Sequence, residues 1–302
     1  MRAATVAGCG AIGLWAFLAL LSRAASALPA LQLTAMSFAV SGGLGLAWLA
    51  AAGRLGDLRQ PAPVWLHGVG GLFGFHALYF AALARAPAAA ANLINYSWPL
   101  LLVLLSAALP GNIASCLRLT WRHVAGVGLA VAGCAALLGA EAAFPAGALL
   151  GYALAAASAV VWALYSVLAR RFQGVPVGAV AGFCAVTAVL AAGLHALTET
   201  YVPPSRAAWA VIVAMGAGPV GAAFALWDIG MKRGDPRLLG TLAFATPVLS
   251  TLLLAAAGLA PFTATTMLAA ALVASGGWLA ARQPPIRPRD APRPASHARD
   301  AS

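Results

Sequence analysis

Nine runs without a single Asp, Glu, Lys or Arg take up nearly the whole chain: 3–22, 24–53, 60–84, 86–117, 123–140, 142–169, 172–198, 207–227 and 238–281. A helix that crosses a bilayer needs about 20 such residues. Eight runs suit one helix each. The ninth is 44 residues long and is broken by Gly258-Leu259-Ala260-Pro261, so it holds two, and the expected total is ten spans. Only 8% of the 302 residues are charged and the mean hydropathy is +0.89, which leaves no room for a sizeable soluble domain. The expected fold is an all-α polytopic membrane protein.

The net charge of +11 would suggest nucleic acid in a soluble protein, but its distribution points elsewhere. Threading ten spans from a cytoplasmic N-terminus puts fifteen of the eighteen Lys and Arg residues on the cytoplasmic side. Only Arg23, Arg85 and Arg206 fall outside, with Glu141 and Glu199. This is the positive-inside asymmetry. It places both termini in the cytoplasm and assigns the basic excess to topology. The four cysteines (Cys9, Cys116, Cys134, Cys184) lack metal-ligand spacing and read as small buried hydrophobes.

Arg2, an apolar run and Ala25-Ser26-Ala27 have the outline of a cleavable secretory signal. An internal repeat argues for a permanent first helix instead. Leu14–Arg23 (LWAFLALLSR) matches Val161–Arg170 (VWALYSVLAR) at an offset of 147, and at 148 Pro99 falls on Pro247, Tyr96 on Phe244 and Arg85 on Arg233. Residues 1–140 and 141–281 are therefore expected to be two five-helix units. An odd number of spans per unit makes the second enter the membrane inverted, and such repeats hold substrate near the midplane. Residues 282–302 form a basic, proline-rich tail that cannot pack a core and is expected to be disordered. Its plain role is a topological anchor.

Within the uncharged run 86–117, Asn92-Leu93-Ile94-Asn95-Tyr96-Ser97-Trp98-Pro99 sets polar groups at lipid depth. On one helix, Asn92, Asn95, Tyr96 and Pro99 share a face, and polar groups there must pair or line a wet cavity. Pro99 and Pro247 each remove a helical donor. Matched breaks in two halves point to a site, though a pair of structural kinks is the plain alternative. Ser158, Trp162 and Tyr165 share a face of span six; His76 precedes Tyr79 and Phe80 in span three; Trp15 lies in span one and Phe244 in span nine. Walls of Trp and Tyr suit an amphipathic solute with an aromatic or apolar body, although such a stripe also packs cores.

Trp48, Trp65, Trp121, Trp209 and Trp278 lie near span ends and read as interface anchors. His76 could titrate, but a hydrogen-bonded core histidine is the simpler reading. Asp228, beside Lys232 and Arg233, reads as half of a local ion pair. Enzyme motifs are missing: no GxSxG, HExxH or intramembrane acid pair occurs. No catalytic residue, metal or cofactor is expected, and no nucleic-acid partner.

Asn95-Tyr96-Ser97-Trp98-Pro99 with Trp162-Ala163-Leu164-Tyr165-Ser166, in ten spans with prolines in the fourth and ninth, resembles the EamA-type drug/metabolite transporter superfamily, and within it the aromatic amino-acid exporter branch. The resemblance covers residues 3–281. Leu109-Pro110-Gly111-Asn112 lacks the Glu that many members carry after span four. The resemblance implies a bacterial inner-membrane protein with a central cavity, alternating access and export of hydrophobic or aromatic amino acids. Spans one, three, four, six, eight and nine would line the cavity of an expected monomer. Tyr96, Trp98 and Trp162 would meet the solute's side chain, Asn95, Tyr79, Ser158 and His76 would supply polar contacts, and Pro99 and Pro247 would set the gating geometry. A carrier of drugs, nucleosides or metabolites is the second reading, and a membrane enzyme or structural subunit the third.

Overall fold

A computed structural model describes residues 2–108, 120–139, 145–259 and 261–281. Among them every regular element is helical. A chain of apolar runs in lipid has no water to satisfy its amides, so each run must close its own hydrogen bonds as a helix. The helices are α1 (Arg2–Ala16), α2 (Leu18–Ala24), α3 (Ala30–Ala51), α4 (Ala62–Leu83), α5 (Ala88–Asn95), α6 (Trp98–Ala108) and α7 (Trp121–Gly139), then α8 (Leu149–Leu168), α9 (Ala179–Thr198), α10 (Arg206–Ala217), α11 (Ala223–Arg233), α12 (Pro236–Ala243), α13 (Ala245–Ala256) and α14 (Ala264–Ala281). Seven helical stretches among the described residues are long and apolar enough to cross a membrane; Ala90–Ser106 and Ala264–Leu279 are apolar but shorter. The segment after span four, Cys116, Glu141 and the basic tail lie outside the described residues.

Breaks follow local chemistry. Gly53 and Gly258 adopt left-handed φ of 66° and 71°. Each closes a helix with paired reverse hydrogen bonds, Arg54 to Leu49 and Leu259 to Leu254 among them, the glycine-terminated ending that lacks a Cβ penalty. The expected stop at Gly258 is there. α5 gives way to α6 at Tyr96-Ser97, and α12 to α13 at Phe244, each a few residues before its proline. Two further breaks were not expected from the sequence: one at Phe17 between α1 and α2, and a π-helical turn, Gly218–Ala222, which separates α10 from α11 and contains Pro219.

Packing relies on small residues. α3 lies along α9, α7 along α14, α1 along α11 and α4 along α8. A Cβ on Gly42 would come within 2.7 Å of the Ala185 amide, and one on Gly276 within 2.4 Å of the Gly126 carbonyl. Close backbone approach of this kind replaces the hydrophobic drive that lipid does not provide. Cys134 and Cys184 are buried and Cys9 half-buried, all as free thiols.

The loops gather at two ends. At one, the Glu199 carboxylate accepts from the amides of Leu31 and Gln32, while Gln32 exchanges two hydrogen bonds with Val202. The carboxylate thus caps the electropositive start of α3. At the other, Asp57 lies against Gly178, and Thr5 Oγ1 accepts from the Asp235 amide at 3.0 Å. Arg170 is buried there and donates to the carbonyls of Met231 and Gly234. Asp228 pairs with Lys232 at 2.8 Å, both side chains buried. The local ion pair is present, and it selects Lys232.

Four of the five expected anchors, Trp48, Trp121, Trp209 and Trp278, are 47–69% exposed. Trp65 departs from that role. Its ring meets Phe183 at 5.3 Å and covers Gly182, so it packs α4 against α9.

Candidate functional site

Four tryptophans from four helices converge. Trp15 on α1 is the hub, with ring centroids 6.5 Å from Trp98 on α6, 5.7 Å from Trp162 on α8 and 5.0 Å from Trp227 on α11. Trp98 stands edge-on to both Trp162 (6.2 Å) and Trp227 (5.8 Å). None is more than 7% exposed. Edge-to-face contacts are the arrangement that the ring quadrupole favours, at about 0.5–1.5 kcal/mol per pair beyond burial. Phe224 joins from α11, 6.1 Å from Trp15 and stacked on Phe38 at 5.7 Å.

One short stretch, broken between α5 and α6, reaches four places. The sequence put Asn92, Asn95, Tyr96 and Pro99 on one helical face, and the structure divides that face. Asn92 Oδ1 accepts from the Tyr79 hydroxyl on α4. Asn95 Oδ1 accepts from Ser158 Oγ on α8 at 2.8 Å, and both residues are buried. Trp98 opens α6 and enters the tryptophan cluster. Tyr96 turns away from it. With Phe244 it packs in a separate cluster around Val103, Val127 and Cys134. The two line a cavity of about 110 Å³ with Leu93, Ser97, Leu100 and Val131. Tyr96 and Phe244, 148 positions apart in the chain, are thus brought together but kept apart from the tryptophans.

Around the cluster the remaining candidates form an outer layer. Tyr165 lies 5.2 Å from Trp162, and Tyr79 stacks on Phe75, itself 5.2 Å from Trp162. His76 Nδ1 is 2.7 Å from the Leu72 carbonyl of its own helix, and the ring stands edge-on to Phe38 and Phe224. That is the geometry of a hydrogen-bonded core histidine. Pro99 and Pro247 are both buried, one residue and two residues into α6 and α13.

Trp227 and Phe224 were missed by the sequence reading. Their spacing of i and i+3 within an uncharged run carried the signal, but Asp228 and the cations beyond it drew attention to the end of that span. Ser166 also enters, accepting from Trp227 Nε1 at 3.0 Å. Trp15 Nε1 donates at 3.0 Å to the carbonyl of Pro219 in the π-turn. The indole donors of Trp15 and Trp227 are therefore satisfied inside the cluster. With Asp228 neutralised by Lys232, the site presents ring faces, carboxamide, hydroxyl and carbonyl groups. Such a set suits a neutral solute with an aromatic or apolar body. Among the described residues no group of His, Cys, Asp and Glu could hold a metal ion.

Comparison with known proteins agrees with this chemistry. The EamA-like transporter family matches residues 3–139 and 149–282. A protein of Ancylobacter novellus named aromatic amino acid exporter YddG is 51% identical over 281 residues, 92% of this chain and 96% of that one. Proteins of the same name from Salmonella typhimurium and Escherichia coli are 29% and 27% identical, over 67% and 64% of this chain and 71% and 67% of theirs. A crystal structure of a chain 50% identical superposes with a TM-score of 0.87, covering 93% of this chain and 97% of the other.

Proposed function

The chain belongs to the EamA-like transporter family, and we propose on that premise that it exports neutral aromatic and hydrophobic amino acids across a bacterial inner membrane. The observation that carries the reading is the 51% identity, over nearly the full length of both chains, to a protein named for aromatic amino-acid export. The buried cluster of Trp15, Trp98, Trp162 and Trp227 supports it, because an aromatic side chain can replace these ring contacts one for one.

Ten spans in two inverted halves supply the machinery for alternating access. The two matched stretches of the family, 3–139 and 149–282, agree with units at 1–140 and 141–281. The packing supports the inversion. Exchanging each helix for its repeat equivalent turns the α3–α9 and α7–α14 pairs into themselves and the α1–α11 pair into α8–α4. The clustering of loops supports the alternation, since the segments that ten alternating spans assign to one face meet at one end; the charge asymmetry assigns that end, with both termini, to the cytoplasm. The working unit of this proposal is a monomer in lipid, with transport and not catalysis as its activity.

Purified protein in liposomes should move labelled phenylalanine, tyrosine or tryptophan. Trp98→Ala or Trp162→Ala should lower the flux at least tenfold, while Trp278→Ala, at an exposed ring, should change it by less than twofold. Equal losses at all three positions would remove the site assignment. The second reading, a carrier of other small neutral metabolites, is separated by a competition panel in which nucleosides or drugs would outcompete aromatic amino acids.

A further inference from the structure

An amino acid brings an ammonium and a carboxylate into a cluster that contains no ionised side chain of its own. The one acid nearby, Asp228, is held by Lys232 at 2.8 Å. An ammonium in such a place needs carbonyl oxygens and ring faces. Both meet at the π-turn. The turn runs on directly from α10, which ends at Ala217, into α11. A π-turn departs from the i→i+4 ladder and recurs at functional sites. Discontinuous helices in transporters use such backbone carbonyls to hold cations. Here the Pro219 carbonyl accepts a hydrogen bond from outside its own helix, from the Trp15 indole N–H at 3.0 Å. The ring that bears this N–H is itself packed against Trp227, Trp162 and Phe224, at 5.0, 5.7 and 6.1 Å. The indole beside this carbonyl offers a ring face, and tryptophan is the strongest of the aromatic faces toward a cation.

We infer that the Pro219 carbonyl is the ammonium subsite for the exported amino acid, and that the Trp15 indole N–H holds this acceptor in place of the solute until the solute displaces it. The inference rests on the exporter reading and assigns one end of the same site. It explains why a buried carbonyl in a helix break is kept partnered by a side chain from another helix. In the closed cluster the Trp15 and Trp227 donors are both satisfied. Loading exchanges a neutral donor for a charged one, and hydrogen bonds from charged groups are the stronger.

The test uses full-length protein in liposomes, with inhibition of labelled phenylalanine flux by phenethylamine, which keeps the ammonium, and by phenyllactate, which replaces it with a hydroxyl. In the unaltered chain phenethylamine should inhibit at least tenfold more strongly than phenyllactate. The variant Trp15→Phe keeps a ring but loses the N–H that competes for the carbonyl. It should improve inhibition by phenethylamine relative to phenyllactate by a further factor of about five, the worth of one ordinary hydrogen bond. Trp227→Phe loses an N–H bonded to Ser166 instead and should move both inhibitors by the same factor. A ratio unchanged by Trp15→Phe, or phenyllactate as the stronger inhibitor of the unaltered chain, overturns the subsite while leaving export intact. If Trp15→Phe does not fold, the inhibitor ranking in the unaltered chain still decides. Lack of any phenylalanine flux in the unaltered chain removes the exporter reading and the subsite with it.

Discussion

Lys232 shows how a single residue can be read two ways. By position it belongs to the positive charges that orient the chain in the membrane. In the structure its ammonium is buried, 2.8 Å from Asp228 Oδ2 and 3.1 Å from the Val175 carbonyl. Removing one partner of a buried pair strands the other charge, at a cost of about 3–5 kcal/mol, whereas replacing both by apolar groups of like size is often neutral. Lys232→Ala should therefore lower the melting temperature in detergent sharply, and Asp228→Leu with Lys232→Met should restore most of the loss. A double variant no more stable than Lys232→Ala would show that the pair is not what holds this end together. Asn95 is similar in kind. It reads from sequence as a polar contact for solute, and the structure satisfies it with Ser158, so it also joins α5 to α8.

At the scale of elements, helix contacts depend on where side chains are missing. Gly42 and Gly43 are neighbours in α3 with opposite surroundings. A Cβ on Gly42 would press on the backbone of Ala185 in α9, while Gly43 has open space around it. Gly42→Ala should destabilise by about 1–3 kcal/mol as the helices are forced apart. Gly43→Ala should be neutral or stabilising by up to about 1 kcal/mol, because Ala favours helix over Gly. Thermal unfolding in the same detergent compares them, and equal shifts would discount the close α3–α9 crossing. The breaks in α5–α6 and α12–α13 also belong to this scale. Pro99 and Pro247 announced them from sequence, since each withholds an amide from the preceding turn. The break between α10 and α11 was not foreseen, although Pro219 sits within it, because no partner in the first half marked it.

For the whole molecule the central expectation is a side for every loop. Single cysteines at Ser26 and Tyr201 should react with a membrane-impermeant maleimide on intact cells in a cysteine-free background, while Gly56→Cys and Gly174→Cys should react only after permeabilisation. All four positions are exposed at the ends of helices, so access is set by the membrane. Labelling of Ser26→Cys and Gly56→Cys together on intact cells would break the alternating ten-span arrangement. Much of the fold was legible in advance, because in lipid the uncharged runs must be helices. The site was legible in part. Trp15, Trp98 and Trp162, aromatic candidates from three spans, meet in the structure, while the aromatic candidates Tyr96 and Phe244 pack together elsewhere.

The physical reason for that division is where each constraint lives. Hydropathy and the prolines act through neighbours in the chain, and they are enough to determine the helices and the breaks near Pro99 and Pro247. Which way a residue faces after a break depends on the rotation between two half-helices, and that is set by the helices packed against them. The Tyr96-Ser97 break sends Asn95 to Ser158 and Trp98 to the other indoles, and no periodicity within α5 or α6 contains that angle. Trp227 and the Pro219 carbonyl enter the site only through α11 and the π-turn beside α1. Tertiary structure alone brought them to Trp15.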